Sequence, residues 1–421
     1  MFFQNMLETV GFLNISIPQI VMIGLSFVLA YLGIVKKHEP LLLIPISFGM
    51  LIANFPMAGL SAYCSPNMVL GVDDAGRDIL AVCNACGGFH SEGGLVYHLY
   101  KSVKLGILPP LIFIGLGAIT DFSPIIANPR YWFIGAVGGQ LGIFTALGLS
   151  KYLSQLLAPL VSAFSWANSF DGKPFQAFTW KESASIGIIG SSDGPTTIYT
   201  AITLAPHILP TIAIAAYSYM ALVPLIQPPI MRLLTTKKER VVVMPTPKEV
   251  TQRQKILFPI IVASVCLLVV PAAGPLIAMM MLGNLIKEVG VIERVSKALG
   301  GDFLSICTMF IALLIGVTST AQRMVNFQTI LIIIMGLLAF MFGTVGGVLT
   351  AKILNVITGG KVNPLIGNSG VSAMPMAARV SQKIAQEYNP SNYVIMHAMG
   401  PILASTIGSA VMAGILISLF R

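Results

Sequence analysis

Charge is what this chain has least of. Only 10% of its 421 residues are Asp, Glu, Lys or Arg, against about 25% in an ordinary soluble domain. With 55% hydrophobic residues and a mean hydropathy of +0.84, that scarcity excludes a water-soluble globule. Cysteine is sparse too: five scattered residues exclude a disulfide scaffold. Cys83-Asn84-Ala85-Cys86 with His90 makes half a zinc site, which no second CxxC or His-x-His completes. The first apolar run opens on Met1-Phe2-Phe3-Gln4-Asn5; without a basic n-region or a small-residue cleavage site, it is read as retained. Strong helix-type hydropathy argues against an outer-membrane barrel. The net charge of +9 does not call for nucleic acid, because the Lys and Arg residues lie in short connections between apolar runs. That is the positive-inside pattern of an inner-membrane protein.

What is present is a series of helix-length apolar runs. They fall at 17–35, 40–57, 104–120, 131–150, 206–232, 256–270, 275–286, 302–317, 328–350 and 393–420. At about 20 residues per span the expectation is an all-α polytopic membrane protein with roughly ten to eleven embedded segments. Two stretches are too polar for a plain span. Residues 58–100 are Gly-rich and carry Asp73, Asp74, Arg77, Asp78 and Glu92, whereas 151–182 carry Trp166, Trp180 and Tyr152 as interfacial anchors.

Two segments depart from ordinary membrane helix. Gly187-Ile188-Ile189-Gly190-Ser191-Ser192-Asp193-Gly194-Pro195-Thr196 sets a carboxylate among helix-breaking residues inside an apolar run. A charge at the bilayer centre costs about 2.5–3.5 kcal/mol on insertion scales, so Asp193 needs a counter-charge or a function, and a bound cation serves as both. Asn363-Pro364-Leu365-Ile366-Gly367-Asn368-Ser369-Gly370 repeats the device, followed by Ser372 and Pro375. One Gly/Pro-interrupted segment in each half points to a midplane binding site in a transporter built from repeats. Pro45–Asn54 aligns with Pro275–Asn284, the run into Gly117 with that into Gly316, and Thr211-Ile212 with Thr406-Ile407.

The expected organisation is therefore a first membrane repeat over 1–232 with its broken segment at 183–204, a basic cytoplasmic linker over 233–255, and a second, inverted repeat over 256–421 with its broken segment at 363–378. The oxygens of Asp193, Ser191, Ser192, Asn363, Asn368, Ser369 and Ser372 form an all-oxygen set of the kind hard cations prefer. For the Ser and Asn residues, hydrogen bonding between helices is the other reading. Arg379 either anchors the chain by the positive-inside rule or holds a carboxylate in a bidentate fork.

Four blocks carry a family resemblance: Gly190 through Thr196, Ala215 through Met231, Asn363 through Val380, and His397-Ala398-Met399-Gly400-Pro401. Over nearly its whole length the chain resembles the β subunit of the bacterial sodium-pumping, biotin-dependent decarboxylases, which act in oxaloacetate, methylmalonyl-CoA, glutaconyl-CoA and malonate decarboxylase complexes. Ser191-Ser192 departs from the Gly-Ala of many oxaloacetate-type members. The resemblance implies a multi-pass protein of the bacterial inner membrane with an elevator-type architecture and a homotrimeric assembly. It implies partners too: a biotin carrier, a carboxyltransferase and a small membrane γ/δ-type subunit. Carboxybiotin supplied in trans by the carrier would be decarboxylated here, with Na⁺ export and proton consumption. Asp193 and Asn363 would hold one Na⁺, Tyr219 and Ser372 a second, with Gly367 among the Na⁺ positions, and Arg379 would engage carboxybiotin, acting catalytically with Asp193. A Na⁺/carboxylate symporter without chemistry is the alternative of a different class. The carboxyltransferase, not this chain, would choose the acid.

Overall fold

The computed structural model describes residues 15–37, 39–55, 69–72, 78–80, 101–103, 105–161, 175–246 and 248–421. Cys83, Cys86, His90, most of 58–100 and the interior of 151–182 lie outside the described residues. Among the described residues seven helices are long and apolar enough to cross a membrane, eight if one bent pair counts as a single span, and two shorter apolar helices accompany them. Among the described residues the one β structure is a two-stranded antiparallel ladder, β1 (Val69–Val72) with β2 (Asp78–Leu80). It falls in the Gly-rich polar stretch, where short Val/Ile/Leu runs flanked by Gly and Asp favour a strand over a span.

The chain divides into two compact units. The first comprises Met1–Leu105 with Thr308–Val325 and contains α1 (Ile17–Ile34) and α2 (Pro40–Asn54). There Gly49 meets the backbone of Leu313 and Gly316 so closely that a Cβ would lie 2.9 Å from the Val317 nitrogen. Asn54 seals the contact: its Nδ2 donates to Ser319 O at 2.9 Å, and its Oδ1 accepts from Ala321 N at 2.7 Å.

The second unit comprises Gly106–Cys307 with Asn326–Arg421. Its helices of eight residues or more are α3 (Leu108–Ile119), α4 (Leu141–Val161), α5 (Trp180–Gly187), α6 (Gly194–Leu204), α7 (Leu209–Leu234), α8 (Gln252–Val269), α9 (Gly274–Val289), α11 (Phe327–Ile357), α12 (Met376–Tyr388) and α13 (Ile395–Phe420); α10 (Leu304–Thr318) begins in this unit and ends in the first. Helix α13 is the core, with 78% of its apolar window buried against 11% for α8. Ala398 and Ile402, then Leu403 and Ile407, then Ala413 and Leu416 of α13 join three successive apolar clusters. The apolar, exposed face of α8 (Leu257, Ile261, Val265, Leu268) suits hydrocarbon.

A clamp like that of Asn54 recurs here. Asn284 Nδ2 donates to Thr120 O at 2.9 Å, and Lys287 Nζ to the same oxygen at 2.8 Å. In the sequence alignment Asn284 corresponds to Asn54, and Thr120 follows Gly117 as Ser319 follows Gly316.

The two interrupted segments are hairpins rather than interrupted crossings. In the first, α5 begins under a capping box, Thr179 Oγ1 accepting from Glu182 N and Glu182 Oε2 accepting from Thr179 N at 2.7 Å. The Ile188–Ser191 3-10 turn follows, and α6 runs back until His207 Nε2 meets Glu182 Oε1 at 2.8 Å. Entry and exit are thus at one end. In the second, the 3-10 stretch Pro364–Gly370 runs in and α12 runs out. Its limbs are laced by Ser381 Oγ donating to Leu365 O at 2.9 Å and Asn368 Nδ2 to Ala377 O at 3.1 Å. Asn363 before it and Asn392 after it both donate to Arg240 O and Val242 O, at 2.9–3.3 Å.

Helix α7 starts just past His207 and runs for 26 residues to Leu234, in the turn that leads to Arg240, with a bend of 63° within it. It connects the mouth of one hairpin to the mouth of the other. The hairpins therefore enter from opposite ends of α7 and approach each other tip to tip.

Candidate cation site

The tips touch through the backbone: Ser372 N donates to Ser191 O at 2.8 Å. At 1.5 Å per residue, the 11 residues of α6 reach about 16 Å, half of a hydrocarbon core of about 30 Å. Glycine makes this approach possible. A Cβ on Gly139 would overlap the carbonyl oxygen of Gly370, and one on Gly190 would lie 2.8 Å from the carbonyl carbon of Gly142. The 139–142 turn thus lies against both tips.

Asp193 stands at the first tip as the N-cap of α6, 5% exposed. Its Oδ2 accepts from Thr196 Oγ1 at 2.7 Å and from Ser409 Oγ at 2.8 Å, and Oδ1 accepts from Thr196 N at 3.5 Å. It has no ion-pair partner among the described residues. Hydrogen bonds to a charged group contribute about 1.5–3 kcal/mol each, yet they leave the net charge in place. Just before it Ser192 is held at φ 55, a left-handed conformation that costs a non-glycine residue of order 1–3 kcal/mol. Tyr217 packs its ring on Gly194.

Ser372 stands at the second tip, its Oγ donating to Ser405 Oγ at 3.0 Å. Ser405 and Ser409 lie one turn apart on α13, so one helix wall serves both tips. Several buried oxygens lack a hydrogen-bond partner among the described residues: Ser192 Oγ at the first tip, Asn368 Oδ1 and Ser369 Oγ near the second, and Gln140 Oε1 between them. Leaving such atoms unpaired costs about 1–3 kcal/mol each. The oxygens gathered at the tips are of the type hard cations prefer, and among the described residues no group of three His, Cys, Asp or Glu side chains gathers.

The remaining expected residues lie in different places. Tyr219 donates its hydroxyl to Ile333 O, and its ring packs with Ile189 against Gly336 of α11. Gly367 presses on the backbone of α11, where a Cβ would lie 2.6 Å from Val348 Cα. Asn363 lies at the mouth, its Oδ1 accepting from Leu365 N at 3.0 Å, and it shares no hydrogen bond with Asp193. The seven residues of 3-10 helix after it put it about 14 Å from the tip. Arg379 is exposed in the first turn of α12 and has no side-chain partner among the described residues.

Sequence reasoning missed Ser405, Ser409 and Gln140. A small-residue pattern, Ser405-Thr406-Ile407-Gly408-Ser409, was the available signal, but hydroxyls joining membrane helices are common.

A family model for the Na⁺-transporting oxaloacetate decarboxylase beta subunit matches residues 18–420. Methylmalonyl-CoA decarboxylase subunit beta of Propionigenium modestum is 43% identical over 413 residues, covering 98% of each chain. Oxaloacetate decarboxylase beta chain 2 of Salmonella typhi is 42% identical, covering 98% of this chain and 97% of its own. Glutaconyl-CoA decarboxylase subunit beta of Acidaminococcus fermentans is 41% identical, covering 99% and 96%.

Proposed function

The chain belongs to the family of Na⁺-transporting oxaloacetate decarboxylase β subunits, and from that premise we propose that it is the multi-pass inner-membrane subunit of a decarboxylase sodium pump. In this reading it works with a biotin carrier, a carboxyltransferase and a small γ/δ-type membrane subunit, as a homotrimer. It decarboxylates carboxybiotin brought by the carrier and couples this to Na⁺ export with uptake of a proton. Identities of 43%, 42% and 41% to subunits serving three different substrates support leaving the choice of acid to the carboxyltransferase. Full-length likeness to decarboxylase subunits favours this reading over a Na⁺/carboxylate symporter.

The observation that carries the reading is Asp193: a buried carboxylate, capped by Thr196 and Ser409, where two opposed hairpins meet. Na⁺ neutralises it in one state and a proton in the other. Ser372 holds a second Na⁺ at the neutral tip; Gly367 seats that hairpin on α11 at Val348, whereas Tyr219 packs on α11 at Gly336 beside Ile189 of the first hairpin. Asn363 reaches an ion at Asp193 only in a state that frees it from Arg240 and Val242. The matched clamps of Asn54 and Asn284 support an inverted repeat, and opposed hairpins suit an elevator movement.

Arg379 lies seven residues beyond Ser372 in a helix whose first turn starts at the second tip. Its exposure requires a polar route from the surface, since a guanidinium does not face lipid. It forks the carboxylate of carboxybiotin there, so the chemistry occurs within a few residues of the ion. Moving one charge outward costs about 2.3 kcal/mol per 100 mV, and a ligand gives that bias only by preferring one access state.

The test is reconstitution of the complex in proteoliposomes with ²²Na⁺ and a carboxylated carrier. Arg379→Gln is expected to abolish decarboxylation and uptake together while leaving Na⁺ binding intact. Decarboxylation at the wild-type rate in that variant would overturn the assignment of Arg379, and decarboxylation by the wild type without Na⁺ movement would overturn the pump.

A further inference from the structure

Gln140 belongs to none of the motifs above. It follows the π-helical turn Phe133–Gly138, a form that recurs at functional sites, and it is buried between the glycines that touch the two tips. Its Nε2 donates to Gly135 O at 3.1 Å and to Ser405 Oγ at 3.5 Å. The Gly135 carbonyl fixes the orientation of the amide, because the flipped form would set two acceptors face to face. Oε1 is therefore aimed away from Gly135, buried and without a hydrogen-bond partner among the described residues.

Ser405 Oγ is the shared neighbour: it accepts from Gln140 and from Ser372. Hydroxyl hydrogens rotate, so Ser372 and Ser405 can turn lone pairs inward toward a cation without moving a heavy atom. Gly408 keeps the space open, since a Cβ there would lie 3.1 Å from Gln140 Nε2. The Ser372 O–H, the Ser405 O–H and the Gln140 carbonyl are all uncharged, whereas the neighbouring tip has a carboxylate.

We propose that Gln140 supplies its side-chain carbonyl as a ligand to Na⁺ held against Ser372 and Ser405, making the second tip a neutral cation site that cannot take a proton in place of the ion. Proton exchange is then confined to Asp193. This inference rests on the sodium-pump reading and adds a ligand and a division of labour to it.

The experiment measures thermal unfolding of the detergent-purified chain against NaCl, with choline chloride as control, at several pH values. The wild type shows a Na⁺-specific rise in midpoint. Gln140→Leu needs about tenfold more Na⁺ for the same rise, the effect of losing one oxygen partner. Gln140→Glu restores the affinity at neutral pH and weakens it on acidification, because the site now carries a titratable group. If the wild type shows no Na⁺-specific rise, the pump reading itself fails. If it does and both variants match it at every pH, the orphan carbonyl serves a water and the inference is overturned. Should Gln140→Leu not fold, Gln140→Glu decides alone, and a Na⁺ titration no more pH-dependent than that of the wild type refutes the proposal.

Discussion

The two hairpins share a plan and differ in charge. Each leaves and returns at one end, each places Gly and Pro around its turn, and each is gripped at its tip by a serine of α13. The first ends in Asp193 and is latched at its mouth by the Glu182–His207 pair. The second ends in hydroxyls and amides and is latched by Asn363 and Asn392 on the backbone of the linker. A charged tip exchanges one cation for another, and a neutral tip binds a cation or stays empty. In the proposed pump, that difference would let one scaffold hold two ions while consuming a single proton.

The comparison breaks most visibly at Asp193. Removing one partner of a buried charge pair costs about 3–5 kcal/mol, and each 1.4 kcal/mol is tenfold. Asp193→Asn is therefore expected to lower Na⁺-dependent decarboxylation by the complex at least about a hundredfold, and an unimpaired variant would remove the carboxylate from the mechanism. Next comes the contact of the tips with the 139–142 turn. Gly139→Ala should lower stability by about 1–3 kcal/mol through overpacking, read as a lower unfolding midpoint. Gly148→Ala on α4, where nothing among the described residues lies within 4 Å, should raise stability by about 0.5–1 kcal/mol.

The α13 serines sharpen the contrast. Ser409→Ala removes a hydrogen bond to a charged acceptor, worth about 1.5–3 kcal/mol, whereas Ser405→Ala removes the acceptor of two neutral ones, from Gln140 and Ser372, worth about 1 kcal/mol each. Half-saturating Na⁺ should rise about tenfold or more in each, with the pH dependence of Na⁺ binding altered in Ser409→Ala alone. An equally altered pH dependence in both would mean that charge does not distinguish the tips.

The smallest effect is at the linker. Burial raises the Glu239 carboxyl, but the Thr236 backbone N–H and hydroxyl and the Lys352 ammonium outweigh it, and the net value lies below the usual 4.5. A lowered value means stabilisation that is complete above the ordinary carboxylate range and lost as pH falls through the lowered value. Protease resistance of the linker should drop slightly on acidification, and Glu239→Gln should remove that slope.

Much of this was legible in the chain. Scarce charge and helix-length apolar runs predicted the membrane fold, and Asp193 among Gly and Pro marked the first tip. The return of each broken segment was not legible, because helical periodicity carries no direction; a span and a hairpin limb read alike until Glu182 meets His207. The clamp of Asn363 on Arg240 and Val242 was hidden for a related reason, since backbone carbonyls of a distant linker leave no pattern in side chains. Gln140 was invisible because a single amide beside a glycine run has no period and no charge.

The most direct measurement is the Na⁺-induced infrared difference spectrum of the purified protein at neutral pH. The account predicts loss of a protonated carboxyl band and gain of a carboxylate band in the wild type, with neither in Asp193→Asn. The same spectral change in that variant would contradict the claim that Asp193 exchanges a proton for Na⁺ where the hairpins meet.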